Sequence, residues 1–129
     1  MEYIWQKCDW GMTTVFPIMA VDGKSSCWMY SPKDEPGVIN FENLFVSPEA
    51  RNEGRGHELL SFCEKIAWEQ GFYKIDLKVE RDSWIQKWYQ REGYVLMGPD
   101  PDEPMQYMWL EKYISDEARQ KFLEESLLN

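Results

Sequence analysis

The fold is decided by one stretch of the sequence, residues 44–60, which reads LFVSPEARNEGRGHELL. Its first three residues are apolar and predict the end of a β-strand, while its last residues begin an apolar pattern with a helical period. The apolar face of that pattern consists of Leu59, Leu60, Cys63, Ile66 and Ala67. The sequence therefore predicts a strand, a polar turn and a helix in direct succession.

The turn in this stretch has the features of a phosphate-binding loop. The first turn of a helix leaves several backbone N–H groups unpaired at the positive end of the helix dipole. Gly54 and Gly56 let a ligand approach the backbone, Asn52 tolerates left-handed backbone angles, and Arg51 and Arg55 can add charged contacts. The stretch matches neither the Walker pattern nor the dinucleotide fingerprint. Two glycines before a helix also occur in ordinary turns, so both interpretations stay open at this point.

The sequence on either side extends the pattern. The predicted strands up to the second helix are 13–21, 24–30, 38–46 and 74–80. Asp22-Gly23 is typical of a two-residue hairpin turn, and Gly71 is expected to end the first helix. Asp82 is placed to cap a second helix over 83–92, with Trp84 on its apolar face.

The C-terminal third of the chain is predicted to add two strands, 94–97 and 105–114, and a helix at about 115–128 capped by Ser115. Leu127 is expected on the inner side of that helix. The element order is then β-β-β-α-β-α-β-β-α, which predicts an α+β fold with parallel pairing only around the first helix. The length of 129 residues predicts one domain over 1–129.

Composition excludes several classes of function. The chain has 23 acidic residues against 14 Lys and Arg, and the net charge of −9 argues against binding nucleic acid or an anionic membrane surface. No apolar run is long enough to cross a membrane. Three cysteines with no secretory signal predict reduced thiols and a cytoplasmic protein. The single histidine, His57, and the cysteines lack metal-ligand spacing, so no metal is expected.

At this point the sequence resembles a known family, the GNAT superfamily of acetyl-CoA-dependent N-acetyltransferases. Residues 51–56 match its Gln/Arg-x-x-Gly-x-Gly/Ala signature, and residues 44–48 match the Leu-x-Val-x-Pro that precedes it. Leu59-Leu60 matches the paired leucines of the following helix. The second mark of the family, an aromatic-Tyr pair before Gly-aromatic, corresponds to residues 88–94. The likeness runs from about Thr13 to Ile114.

The resemblance implies a mixed, mostly antiparallel sheet flanked by helices, with a central β-α-β crossover. It implies a V-shaped splay between the third and fourth predicted strands, 38–46 and 74–80, in which the pantetheine arm of the coenzyme lies. A backbone N–H of Phe45 or Val46 would face the thioester carbonyl. The residues whose amides would hold the pyrophosphate are Arg51, Asn52, Glu53, Gly54, Arg55, Gly56 and His57.

Two side chains are candidates for proton transfer. Tyr89 matches the family tyrosine that protonates the departing thiolate, although an inner-face aromatic of its helix is the simpler interpretation. Glu42 lies two and four residues before Leu44 and Val46, so strand alternation predicts that all three share one face. A carboxylate there can remove the proton of the amine, directly or through water, or can be an ordinary solvated residue.

The acceptor and the assembly stay open in the sequence. Only residues 1–12 precede the first predicted strand, where the family usually has helices that wall the acceptor pocket. An open cleft suits either a small-molecule amine or a peptide or protein amine. It also suits the alternative function, a non-catalytic acyl-CoA-binding or interaction module on the same fold. A homodimer is possible, with the predicted strand 105–114 as a candidate edge for pairing.

Overall fold

A computed structural model describes residues 1–128, with the side chain of Leu128 left undescribed. The strands are β1 (Tyr3–Trp5), β2 (Cys8–Asp9), β3 (Thr13–Ala20), β4 (Ser25–Pro32), β5 (Val38–Val46), β6 (Lys74–Glu80), β7 (Val95–Pro99) and β8 (Tyr107–Tyr113). The helices are α1 (Arg55–Glu69), α2 (Trp84–Arg91) and α3 (Asp116–Leu128), and a short 3-10 turn spans Pro48–Ala50. β5 and β6 have the predicted bounds, because their apolar patterns are regular up to their ends.

Within the described residues the strands form one sheet in the order β1-β3-β4-β5-β6-β8-β7, with β2 paired to β3. Every pair is antiparallel except β5 and β6, which are parallel and are connected through α1. Antiparallel neighbours can be joined by short turns, whereas a parallel pair needs a crossover connection. The α+β class, the mixed sheet and the central β-α-β crossover predicted from the sequence are therefore confirmed.

The splay between β5 and β6 is also confirmed. The two strands pair only from Val38–Lys74 to Phe41–Leu77, although β5 continues to Val46 and β6 to Glu80. Asn43 stands at the point where they part, with a left-handed φ of 54°. The register between β4 and β5 shifts at the same place, so Asn43 belongs to a β-bulge that turns β5 away from β6.

The bulge overturns one prediction about Glu42. Glu42 pairs across the strands with Trp28, whereas Val46 pairs with Ser25. Cross-strand partners share a face, and Ser25 is buried on the core side while Trp28 alternates with it on the other side. Glu42 therefore lies on the face opposite Val46. The prediction that they share a face is wrong because the extra residue at Asn43 shifts the alternation by one position.

The core lies between the sheet and the two helices α1 and α2. Its fully buried large side chains include Phe16, Ile18, Met29, Ile39, Leu59, Leu60, Ile75, Leu77 and Leu110, together with Cys27 and Cys63. Gly71 ends the helical region with a φ of 90°, and the next residue, Phe72, packs edge-on against Phe16 at 5.8 Å between ring centroids. α3 packs through Phe122 against the rings of Tyr73 and Tyr113.

Several local predictions were wrong. Ser83 rather than Asp82 caps α2, since its side chain accepts the N–H of Gln86 while Asp82 has a left-handed φ of 58°. Trp84 is 74% exposed, and Leu127 is exposed too. Helical periodicity locates a stripe on a helix, but the neighbouring elements decide how much of that stripe is covered.

Two features of the sheet also departed from the prediction. The strand predicted over 105–114 is not an edge, because β7 pairs on its outer side and itself forms the edge. The sequence predicts no element in residues 1–12, yet Tyr3–Trp5 and Cys8–Asp9 pair with β3. Strands of two or three residues have too few positions to show a period of two.

Candidate active site

The turn before α1 presents a row of unpaired backbone donors. The N–H groups of residues 52–57 make no well-formed hydrogen bond to any acceptor in the part of the chain that the structure describes. The flanking groups are paired, since Arg51 N–H donates to Pro48 O at 3.4 Å and Glu58 N–H to Gly54 O at 3.0 Å. Asn52 and Gly54 have the left-handed φ values, 65° and 77°, that form the turn. Consecutive free N–H groups at a helix N-terminus attract an anion.

Gly56 lets an aromatic ring close over this turn. A Cβ at Gly56 would lie 3.3 Å from the Trp88 ring and 3.9 Å from the side chain of Val46. Trp88 belongs to α2, so the absence of a side chain at Gly56 brings the turn, the end of β5 and α2 together. A side chain at this position would therefore require the Trp88 ring to move by a few tenths of an ångström.

The side chain of Arg55 is bound to a distant part of the chain. Its two terminal nitrogens donate to the two carboxylate oxygens of Asp22 at 3.0 Å each, and one also reaches Ser25 Oγ at 3.3 Å. Only 11% of the Arg55 side chain is exposed. Hydrogen bonds from Arg55 lower the pKa of Asp22. Arg55 thus ties the turn to the β3–β4 hairpin, and a charged contact from its side chain to a ligand stays a prediction.

Two further contacts fix the turn. Arg51 Nε donates to the carbonyl oxygen of Val46 at 2.9 Å, which holds the end of β5 against the turn. His57 Nδ1 lies 2.7 Å from Glu92 Oε2, which joins the first turn of α1 to the end of α2. The His57 ring is otherwise 67% exposed. Both side chains border the row of free N–H groups.

The splay opens a cleft of about 470 Å³. Its lining consists of Asn40, Phe41, Glu42, Asn43, Leu44, Leu77, Lys78, Val79, Ile85, Tyr89 and Trp109. The structure therefore brings both proton-transfer candidates, Glu42 and Tyr89, to one cleft. Asn43, which sequence reasoning did not single out, lies in its wall beside Leu44 because of the bulge. The residue type at Asn43 was the available signal, since Asn tolerates left-handed φ.

Tyr89 has a buried ring and an unpaired hydroxyl. The residue is 5% exposed, and its ring packs edge-on against Trp88 at 4.9 Å and Tyr94 at 5.3 Å between centroids. Within residues 1–128 no hydrogen bond involves its hydroxyl. Burial raises the pKa of Tyr89 far above the ordinary tyrosine value, and the charges of nearby groups add to the shift. The phenol stays protonated at neutral pH and is free to donate to a ligand in the cleft.

The end of β5 turns one backbone donor toward the cleft. Ser47 N–H donates to Lys24 O at 2.8 Å, and Phe45 pairs with Ser26 in the same register. Successive residues of an antiparallel pair direct their N–H groups alternately toward and away from the partner strand. The N–H of Phe45 is then committed to β4, while that of Val46 points away from β4, toward the side where β5 and β6 part. Of the two donors considered in the sequence, Val46 has the required direction.

Comparisons with known proteins agree with this geometry. The family described as "Acetyltransferase (GNAT) domain" matches residues 15–96, more than half of the chain. The chain belongs to the GNAT acetyltransferase family. Membership supports acyl transfer from a coenzyme A derivative as the general activity. A search of curated proteins found no match.

Solved structures show the same GNAT fold at low sequence identity. The ribosomal-protein-S18-alanine N-acetyltransferase from Escherichia coli has 15% identity and a TM-score of 0.63, over 83% of this chain and 72% of that chain. An acetyltransferase from Bacillus subtilis in complex with CoA has 16% identity and a TM-score of 0.66, over 81% and 78%. The PaiA N-acetyltransferase from Thermoplasma acidophilum, also in complex with coenzyme A, has 19% identity and a TM-score of 0.62, over 78% and 60%.

The described residues of this GNAT chain contain neither a membrane-spanning helix nor a cluster of metal ligands. No helix among residues 1–128 is both long and apolar enough to cross a membrane. The same residues contain no group of three or more His, Cys, Asp or Glu side chains placed to hold a metal ion.

Proposed function

We propose that this GNAT protein is an N-acetyltransferase that moves the acetyl group of acetyl-CoA to a primary amine by direct attack. One observation carries the proposal: the unpaired N–H groups of residues 52–57 follow the end of β5, and the cleft that β5 lines is also lined by Tyr89, whose hydroxyl is unpaired. A diphosphate and a thioester need these two kinds of donor. Both belong to elements that the sheet holds in fixed positions.

The turn is proposed to bind the pyrophosphate of acetyl-CoA. The N–H groups from Asn52 to His57 supply the donors, and the positive end of α1 adds its dipole. Arg51 lies beside these N–H groups. Its Nε donates to the carbonyl oxygen of Val46, which leaves the two terminal nitrogens of its guanidinium group for the ligand. The pantetheine arm then runs between β5 and β6, where the strands no longer pair and can offer backbone groups to it.

The reaction proposed for the cleft is a direct displacement. The amine nitrogen attacks the thioester carbonyl carbon, a C–N bond forms, and the C–S bond breaks. Val46 N–H donates to the carbonyl oxygen, on which negative charge develops during attack. Tyr89 gives its proton to the departing thiolate, and its high pKa keeps that proton available at neutral pH.

Glu42 is proposed to take the proton that the amine loses, directly or through one water molecule. It is exposed, it lines the cleft, and within residues 1–128 it forms no ion pair. A carboxylate without a cationic partner attracts the protonated amine before the reaction.

The proposed acceptor is a small-molecule amine or a peptide or protein amine. The Escherichia coli enzyme of similar fold is named for a protein acceptor, an alanine of ribosomal protein S18. A cytoplasmic location and a homodimer stay proposals from the sequence.

Two measurements test the proposal. Calorimetric titration is expected to show binding of acetyl-CoA and CoA, with much weaker binding of ATP. Gly54→Ala is expected to weaken binding, because alanine at a φ of 77° disfavours the turn by about 1–2 kcal/mol. Gly11→Ala is the matched control, since Gly11 has a φ of 76° and equally open surroundings but lies far along the chain from the turn.

Release of free thiol from acetyl-CoA, measured over a panel of amines, tests the catalytic part. Turnover with a primary amine is the expected result. Tight CoA binding without turnover for any amine would instead support the non-catalytic acyl-CoA-binding module. Loss of CoA binding that is equal in Gly54→Ala and Gly11→Ala would contradict the assignment of the turn.

A further inference from the structure

A cluster of aromatic rings lies on the face of the sheet opposite α1. Trp28 and Tyr30 alternate along β4 with residues of the core, and their rings stack with centroids 6.3 Å apart at an angle of 20°. Trp10 lies against Trp28, with centroids 6.0 Å apart. Trp10 is 60% exposed, and the other two side chains are half-buried. These three rings are called the aromatic platform here.

The platform lies next to Glu42 and, through it, next to the cleft. Glu42 is the cross-strand partner of Trp28, and its charge is among the causes that raise the pKa of Tyr30. Neighbouring strands are about 4.8 Å apart. The order across the sheet is therefore the cleft between β5 and β6, then Glu42 on β5, then the platform one strand spacing further on β4.

The platform has no cation of its own. Elsewhere lysines lie over aromatic rings: Lys74 over Phe122, Lys78 over Tyr107 and Lys112 over Tyr94. Among residues 1–128 no such lysine or arginine lies over Trp10, Trp28 or Tyr30. Lys33, in the loop that follows β4, is held by Asp9 at 2.6 Å. Within residues 1–128 the three rings and the carboxylate of Glu42 thus have no cationic partner, and Trp10, which is 60% exposed, is accessible to a cation from outside the chain.

We infer that the platform holds a second positive charge of the acceptor, so that the preferred acceptor is a small diamine. This inference rests on the proposed N-acetyltransferase function. One ammonium group lies over the rings, where the quadrupole of an aromatic face attracts a cation. The other nitrogen lies beside Glu42, gives up its proton there and attacks. The cleft volume of about 470 Å³ is in the range of small-molecule sites.

The test compares putrescine with n-pentylamine, which has the same length but a methyl group in place of the second ammonium. Putrescine is expected to have a kcat/KM about tenfold higher, as a partly desolvated cation–π contact implies. Trp28→Leu is expected to bring the ratio of the two values close to one, and Trp28→Phe to keep most of it. Trp84→Leu, which removes an exposed tryptophan of α2, is expected to leave the ratio unchanged.

Equal use of the two amines by the unaltered protein would overturn the inference. So would an equal change of the ratio in Trp28→Leu and Trp84→Leu, or a basic peptide that is preferred to putrescine with no dependence on Trp28. A second experiment distinguishes failure of the platform from failure of the proposed acetyltransferase function. The CoA-bound protein is titrated with putrescine, and the indole N–H signals are followed by NMR. If no amine is acetylated, a shift of the signal that Trp28→Leu removes supports the platform, and no shift refutes it.

Discussion

Replacing Tyr89 by phenylalanine separates catalysis from stability. The hydroxyl of Tyr89 has no hydrogen-bond partner within the described residues, and the ring contacts with Trp88 and Tyr94 do not need it. Tyr89→Phe is therefore expected to change the free energy of unfolding by less than about 0.5 kcal/mol. CoA affinity is expected to stay the same. The value of kcat is expected to fall by about 10²-fold or more, because a positioned proton donor typically contributes that much.

Tyr94→Phe is the matched control for this variant. The Tyr94 hydroxyl donates to Glu64 Oε2 at 2.8 Å, and the residue is buried beside Tyr89 in the same core. A hydrogen bond to a charged group contributes about 1.5–3 kcal/mol, so Tyr94→Phe is expected to lower stability by roughly that amount. Its kcat is expected to stay within a few-fold of the unaltered protein. The two variants thus have opposite expected effects on the two quantities.

The assays are urea unfolding for stability, calorimetry for CoA affinity and thiol release for kcat. A pH profile adds a further check, since burial raises the pKa of Tyr89 above the ordinary value of about 10. In the unaltered protein, deprotonation of Tyr89 is therefore not expected to lower kcat at any pH below about 10. The reasoning is refuted if Tyr89→Phe keeps its kcat, or if it loses as much stability as Tyr94→Phe.

Three other predictions concern the turn, the bulge and the core. Asp22→Asn is expected to weaken CoA binding, because Arg55 loses its carboxylate partner. In the unaltered protein, the contribution of the Arg55–Asp22 pair is complete above the ordinary pKa of Asp and disappears as pH falls through the lowered pKa of Asp22. Calorimetry at several pH values can follow this loss. Asn43→Val is expected to lower stability by about 1–2 kcal/mol and Asn43→Gly to be tolerated, judged by urea unfolding. Leu77→Ala is expected to cost about 2–5 kcal/mol by the same measurement, since the side chain is buried where the parallel pairing ends.

Regular patterns made most of the fold predictable from the sequence. Lys74–Glu80 alternates without interruption and folds as a strand with those bounds, and the period of 3.6 after Gly56 produces α1. The turn between β5 and α1 was predictable because Asn52 and Gly54 can adopt left-handed angles at low cost. These are local properties of the chain, so they are visible without knowledge of its neighbours.

What could not be predicted depends on contacts between distant segments. The face of Glu42 changes because one residue, Asn43, is inserted into the ladder, and alternation alone cannot show an insertion. The pairing of Arg55 with Asp22 could not be predicted either, because Asp22 lies in a hairpin far away in the sequence. The aromatic platform is likewise assembled from Trp10 and two residues of β4. The spacing of residues in the sequence does not indicate which distant segments will be in contact.

The most direct test of the account is a crystal structure of the protein with coenzyme A. The account predicts diphosphate oxygens within hydrogen-bond distance of the N–H groups of residues 52–57, and the pantetheine arm between β5 and β6 with the sulfur near Tyr89. A diphosphate bound elsewhere, with that turn occupied only by solvent, would contradict it.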